Sequence, residues 1–478
     1  MDFPGLRSAR ENAVLGRARL QPCHNTLESF RATSPQRALA PEVVFYDRTR
    51  EFRGKKKRTS AAKAGFSGTI CGTAEAVPFR KLMIQTQLLF RRREKRMSGI
   101  KSVVCLLALL MLPVAGLGAD HPILPIGSAA PDFSLPGADG NLHKLSDYAS
   151  SKILVVVFTC NHCPNAQMYE GRVTQMYNDY RDKGVALVAI SPNDPKAIRI
   201  DELDSSDISD TLDEMKIRVA YKHLPYPYLY DGETESVSRA YGPQASPHIF
   251  IFDQQRKLRY EGAIDDSYRV EFVKRHYALD ALDALLADKE VAVKHTGAFG
   301  CSTKWSDKEA ANVAFMEKLN AQPVALEMVS ADALKSLHTN ADGNVRLIQF
   351  WSTKCSTCLE EFAGIQDIYR MYSDRNFELV VVSMNKPEEK AAVKEWLDKK
   401  HATSRNLLFD SENTAELQKA FDPKWDSGVE VPYTILLDAD GNVLYQTAQP
   451  VDQLKLRRTI LANLPSAYIG LNNYWLQK

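Results

Sequence analysis

Two short, almost uninterrupted apolar runs frame this 478-residue chain: ILVVVF at 153–158 and VRLIQFW at 345–351. Runs of this length, rich in β-branched and aromatic residues and bounded by polar turns, predict strands buried on both faces. GVALVAI (184–190) and LVVVS (379–383) read the same way. Between and after them lie stretches of helical period, with amphipathic helices predicted over 270–286, 307–319 and 451–464. SDTLDEM (209–215) carries an N-cap signature that starts another. Alternating strands and helices place the chain in the α/β class. The order also repeats. Each of the two leading strands runs into a Cys-x-x-Cys, and later an isolated x-Pro opens a further apolar strand, SPHIFIF at 246–252 and VPYTILL at 431–437. The repeat predicts a duplicated redox domain.

The pairs are Cys160-Asn-His-Cys163 and Cys355-Ser-Thr-Cys358. A dithiol that cycles with a disulfide needs both sulfurs on one short arc, with the first open to attack. A strand-to-helix junction provides this, and the positive end of the helix lowers the nearby thiol from about 8.5 into a window of roughly 3.5–7.5. The first cysteine then attacks a partner disulfide and the second resolves the mixed disulfide. A structural zinc site would need a second Cys/His pair at finger-like spacing near each motif, and neither has one.

The first half resembles the peroxiredoxin-like redoxin (AhpC/TSA) family, in those members that carry Cys-x-x-Cys. The likeness rests on IGSAAPDFSL (126–135), FTCNHCP (158–164), YEGR (169–172), YLYD (228–231) and SPHIFIFD (246–253). The second half, with FWSTKCSTC (350–358) and DADGNVLY (438–445), resembles the TlpA-like thiol–disulfide oxidoreductases. The resemblance implies two tandem thioredoxin-like folds, each a central mixed β-sheet flanked by helices. Cys160 and Cys355 are then the attacking thiols, Cys163 and Cys358 the resolving ones. It also implies that Pro247 and Pro432 are cis-prolines facing the dithiols, where they offer backbone to an extended substrate and keep metal off the sulfurs. In TlpA-like proteins an acid three residues past the second cysteine often relays protons, and Glu361 stands there.

The departures from these families narrow the expectation. Peroxiredoxins use Pro-x-x-x-Thr-x-x-Cys; aligned on Cys163, the threonine position is Cys160 and the proline position is Val156. The buried aspartate that precedes the first cysteine in thioredoxin is Leu154 in the first half and Gln349 in the second, and no matching acid is found for the first half. His162 adds a positive charge or a hydrogen-bond donor beside the thiolate. That stabilises the reduced form and predicts the first site to be the more oxidising. Lys354 points either toward Cys355 or into solvent.

Residues 97–119 combine a lysine, an apolar core and a small-residue end, the pattern of a secretory signal peptide. The apolar run is too short for a comfortable bilayer span. Residues 1–96 hold 21 Lys+Arg against 8 Asp+Glu without periodic apolar pattern and read as a basic extension upstream of the true start. Residues 120–478 hold 39 against 51, an acidic balance that argues against nucleic acid or anionic membrane as partner. The division expected is a first redoxin-like domain at 120–296, a connector at 297–322, and a TlpA-like domain with a C-terminal tail at 323–478. Of eight cysteines, Cys23, Cys71 and Cys105 precede residue 120. Cys301, in the connector motif FGCSTKW (299–305), is an odd thiol, readable either as a redox accessory to the first domain or as a small buried hydrophobe. The motif resembles a segment that follows the redoxin domain in relatives of the first half.

These readings converge on an extracytoplasmic (periplasmic or secreted) thiol–disulfide oxidoreductase. Its partners would be protein thiols or disulfides and an upstream redox donor or acceptor, with no cofactor and no stable membrane span after signal cleavage. Two alternatives stay open: a thiol peroxidase in the first domain with the second as its in-cis reductant, and a copper-binding assembly factor using Cys160, Cys163 and His248.

Overall fold

The computed structural model describes residues 121–338, 343–422, 425 and 431–465. The basic extension, the signal-like segment and most of the C-terminal tail lie outside them. All described residues belong to one compact unit, Cys105–Lys478.

In the first half, a hairpin of β1 (Ser134–Pro136) and β2 (Leu142–Lys144) leads into β3 (Ile153–Phe158) and helix α1 (Pro164–Tyr180). Then come β4 (Val185–Ser191), α2 (Leu212–Lys222), β5 (Tyr228–Tyr230), α3 (Ser236–Tyr241), β6 (Ala245–Ser246), β7 (His248–Phe252), β8 (Leu258–Gly262) and α4 (Tyr277–Leu286). The sheet order is β5-β4-β3-β7-β8. β3, β4 and β5 are parallel, while β7 and β8 are antiparallel. Every residue of β3 is buried. Val155 and Val157 face a core with Tyr169, Met176 and Leu282. Leu154, Val156 and Phe158 face another with Phe133, Tyr241 and Phe250. A strand covered on both faces has no polar side to show, which is why this run reads as continuous rather than alternating. Each such side chain contributes about 1.5–3 kcal/mol.

The connector supplies β9 (Cys301–Ser302), paired with β6, and α5 (Glu309–Asn320). The second half contains β10 (Glu327–Val329), α6 (Ala331–Ser336), β11 (Val345–Trp351), α7 (Ser356–Tyr372), β12 (Phe377–Ser383) and α8 (Lys390–Lys399). It continues with β13 (Arg405–Phe409), α9 (Thr414–Phe421), β14 (Tyr433–Leu437), β15 (Val443–Thr447) and α10 (Gln453–Asn463). Its sheet order is β10-β13-β12-β11-β14-β15, with the parallel-then-antiparallel sequence of the first sheet and one extra edge strand. Phe158 lies opposite His248, and Phe350 lies opposite Tyr433, in matching registers one residue past each proline. Both Ser246–Pro247 and Val431–Pro432 are cis.

One expectation needs correction. The helix predicted over 270–286 begins only at Tyr277: Val270–Phe272 is a single 3-10 turn, with Val270 and Phe272 exposed. Its apolar residues mimic helical period but have no facing element.

The two halves are joined through residues 204–207 of an insertion between β4 and α2. The Asp204 carbonyl accepts from Arg375 Nη1 at 2.7 Å, and the Ser206 carbonyl accepts from the Tyr372 hydroxyl at 3.1 Å. Asp207, buried, receives Arg458 Nε of α10 at 2.7 Å and Arg218 Nη2 of α2 at 3.3 Å. The Arg458 guanidinium also lies 3.9 Å over the Tyr221 ring. Arg458→Ala is expected to cost about 1–3 kcal/mol, because it leaves a buried carboxylate with one donor fewer. A lower denaturant midpoint checks this, and an unchanged midpoint contradicts it.

Candidate functional site

In the first half, β3 ends at Phe158 and α1 starts at Pro164, so the Cys-x-x-Cys lies in the loop between them with Cys163 as the N-cap. Proline suits the first helical position, where its missing N–H is not needed. The loop is therefore not held by helical hydrogen bonds. Asp210 holds it instead. One Asp210 oxygen accepts the backbone N–H groups of Asn161 (2.8 Å) and His162 (3.0 Å). The other meets His162 Nδ1 (2.7 Å) and Asn193 Nδ2 (2.7 Å). His162 and Asp210 are both buried. A buried carboxylate costs several kcal/mol unless its lone pairs are satisfied, and here all four acceptor sites are taken.

The electrostatics follow from this arrangement. Burial alone would neutralise Asp210, but the His162 charge and the donors outweigh it and hold the carboxyl below its usual range. Burial likewise opposes charge on His162, yet Asp210 and the Cys160 sulfur raise its pKa well above 6.5. For Cys160, burial works against the thiolate and Asp210 repels it. The hydrogen bond from Cys163 and the imidazolium of His162 prevail and bring the thiol to about 6. Burial and the Cys160 sulfur push Cys163 well above its ordinary value. Residues 160, 162 and 210 thus form a buried Cys–His–Asp relay, with the thiolate on Cys160 and the proton on Cys163. At this site a neighbouring thiol and an imidazolium lower Cys160, which lies three residues ahead of the helix N-cap Cys163; in the second half Cys355 itself caps the helix.

The relay has a pH signature. Cys160 is depressed, so its contribution to stability is complete above 9.0 and is lost as pH falls through about 6. His162 is elevated, so its contribution is complete below 6.5 and is lost as pH rises through its folded value.

Cys160, His162 and Asp210 also bring a sulfur, a nitrogen and an oxygen within 4.8 Å of one another. Asp210 has no oxygen lone pair left for a metal. The copper set with His248 is not assembled either. Gln244 N–H donates to His248 Nδ1 (3.2 Å), and Nε2 is spent on Glu261 (2.8 Å), so neither ring nitrogen is left for the thiols.

In the second half, Cys355 is the N-cap of α7 and is disulfide-bonded to Cys358. Cys358 N–H donates to Cys355 Sγ at 3.1 Å. Cys355 opens on a groove of about 650 Å³ whose lining includes Thr357, Met384, Val431 and Pro432. Lys354 pairs with Glu389 (2.7 Å) rather than with the sulfurs. Below the disulfide, buried Glu361 accepts Gln349 Nε2 (2.8 Å) and Val451 N–H (2.9 Å). Burial raises its pKa, so it stays protonated at a higher pH than an ordinary glutamate. The two sites thus differ in access: in the first, Cys160 is 3% and Cys163 0% exposed, whereas in the second Cys355 is half-buried.

Sequence reasoning missed Asp210. Its only signal is a position just ahead of the helix cap Thr211, where an acid reads as a cap residue, and it lies 48 residues from His162.

Comparison with known proteins finds a family match in each half. The AhpC/TSA family matches residues 126–261, and the Redoxin family matches residues 318–460. A thiol-disulfide oxidoreductase ResA from Geobacillus thermodenitrificans is 25% identical over 178 residues, 35% of this chain and 90% of that one. A Mycobacterium tuberculosis protein whose name places it among the peroxiredoxins is 31% identical over 72 residues, 15% of this chain and 46% of that one. Among solved structures, an uncharacterized conserved protein from Geobacillus kaustophilus is 36% identical and covers 38% of this chain and 94% of its own, with a TM-score of 0.35.

His162→Asn, which removes the positive charge and leaves Asp210 in place, is expected to raise the Cys160 thiolate titration from about 6 by about 1–3 units. Ultraviolet absorbance of the thiolate in the reduced protein reads it, and an unmoved midpoint contradicts the relay.

Proposed function

Because the chain belongs to the redoxin and AhpC/TSA group of thiol oxidoreductases, we propose that it exchanges disulfides with protein partners through two Cys-x-x-Cys sites in an extracytoplasmic compartment. The observation that carries this is the repeated placement of a Cys-x-x-Cys at the junction of a central strand and a helix start, next to a strand opened by a proline. In this reading Cys160 and Cys355 are the nucleophiles, and Cys163 and Cys358 resolve. Pro247 and Pro432 shape the substrate edges.

His162 stabilises the Cys160 thiolate, which also makes Cys160 a good leaving group. In the second domain Glu361 is the proton store beneath Cys358. The compartment is supported by the signal-like segment 97–119 and by two dithiols in the region that follows it. Among the described residues, no helix is long and apolar enough to cross a membrane. Partners are protein thiols or disulfides and an upstream donor or acceptor.

Titration of the protein with glutathione redox buffers, followed by alkylation and peptide mapping, tests the proposal. Two reversible disulfides are expected between about −270 and −120 mV, with Cys160–Cys163 the more oxidising. Equal potentials contradict the assigned role of His162. If Cys160–Cys163 never forms and peroxide drives Cys163 to a sulfenic acid, the peroxidase reading replaces this one.

A further inference from the structure

Resting on the dithiol reading above, we infer that Cys301 is the thiol through which the first domain meets its partner, with a Cys163–Cys301 disulfide as the intermediate that passes oxidation inward to Cys160. Cys160 and Cys163 are almost wholly buried, at 3% and 0% residue exposure. Disulfide exchange requires an incoming sulfur to reach its target, so a more exposed sulfur beside the dithiol is the first that a protein partner meets, and Cys160 acts on what that sulfur delivers. Cys301 is partly buried, more accessible than either of them, and packs directly on the Cys160–Cys163–Ala166 cluster.

The backbone holds it there. β9 pairs antiparallel with β6, placing Cys301 opposite Ser246, the residue that enters cis-Pro247. In the first domain the chain's own strand covers the edge beside Pro247. Among the described residues of the second, a groove lined by Val431 and Pro432 borders Cys355. Gly300 makes the close approach possible, since a Cβ there would lie 2.0 Å from Ser246 O at a φ of +152° that glycine alone adopts readily. Beyond it, the Thr303 hydroxyl donates to Pro243 O (2.7 Å), and Lys304 N–H donates to Asn193 Oδ1 (2.9 Å). Asn193 is also a donor to Asp210, so the strand is anchored to the same frame as His162. The Cys163 thiol donates to Ser246 O at 3.4 Å and thus lies at the β6 edge that β9 covers. Contact with Cys163 lowers the Cys301 thiol, which favours a thiolate at the accessible position.

The exchange balances without a further reagent. Cys301 thiolate attacks a partner disulfide, forming a mixed disulfide and releasing one partner thiolate. Cys163 passes its proton to the adjacent Cys160 thiolate and attacks the Cys301 sulfur; the second partner sulfur leaves as a thiolate and takes that proton from Cys160, which is again a thiolate. Cys160 thiolate finally attacks Cys163, forming Cys160–Cys163 and returning Cys301 as thiolate. The domain loses two electrons and the partner disulfide gains two. Reduction of the domain runs the same steps backward.

The experiment uses the full chain, reduced and then pulsed briefly with glutathione disulfide, acid-quenched and peptide-mapped. The first adduct is expected on Cys301, and Cys163→Ser should trap it there. Cys301→Ala should slow formation of Cys160–Cys163 by about tenfold, a decade in rate. A first adduct on Cys160 in the unmodified protein, or an unchanged rate in Cys301→Ala, overturns the inference while leaving the dithiol reading intact. If Cys160–Cys163 forms in neither protein, both fall together.

Discussion

The carboxylate of Asp210 is the constraint on which the first site depends. Four donors converge on it, two from the backbone of the Cys-x-x-Cys loop itself. A loop that precedes the helix rather than forming its first turn needs partners from elsewhere, and Asp210 supplies two of its backbone N–H groups with an acceptor, while Gln167 and Arg218 donate to the carbonyl of Asn161 within it. Once the loop is fixed, the imidazole of His162 is oriented by the same oxygen pair, and its charge is placed against Cys160. A single buried anion therefore sets backbone shape, side-chain orientation and thiol chemistry together. The second site needs no counterpart, because its first cysteine already caps the helix.

The insertion that carries Asp210 also carries the contact between the halves. Residues 204–207 receive Tyr372, Arg375 and Arg458 from the second half. Arg218 spans the two functions: its guanidinium reaches Asp207 on one side and the carbonyl of Asn161, inside the Cys-x-x-Cys, on the other. Interface and loop thus share one buried polar network, in which low dielectric makes each missing partner expensive. The two sites use one fold differently: β9 covers the strand edge next to Pro247, while among the described residues Cys355 borders a groove lined by Val431 and Pro432.

Much of this was legible in the chain because it rests on local rules. Continuous apolar runs identify central strands, since both faces are covered. The strand-to-helix setting of Cys160 and Cys355 follows from what comes before and after them. Gln349 and Glu361 were each noted as departures or substitutes; their mutual hydrogen bond, which merges them into one unit, depends on strand and helix meeting in space. Asp210 was illegible for the same reason, because its partners are distant in sequence and its local context mimics a cap. Residues 270–276 failed in the opposite sense: their apolar spacing suits a helix, but the fold gives that face nothing to pack against.

The central claim is that Asp210 holds His162 as an imidazolium beside a Cys160 thiolate. The most direct measurement is nuclear magnetic resonance titration of the histidine-labelled, reduced protein, alongside Asp210→Asn. The account predicts that His162 stays protonated through neutral pH in the unmodified protein and returns toward 6.5 in the variant. A His162 that already titrates at or below 6.5 with Asp210 intact would contradict it.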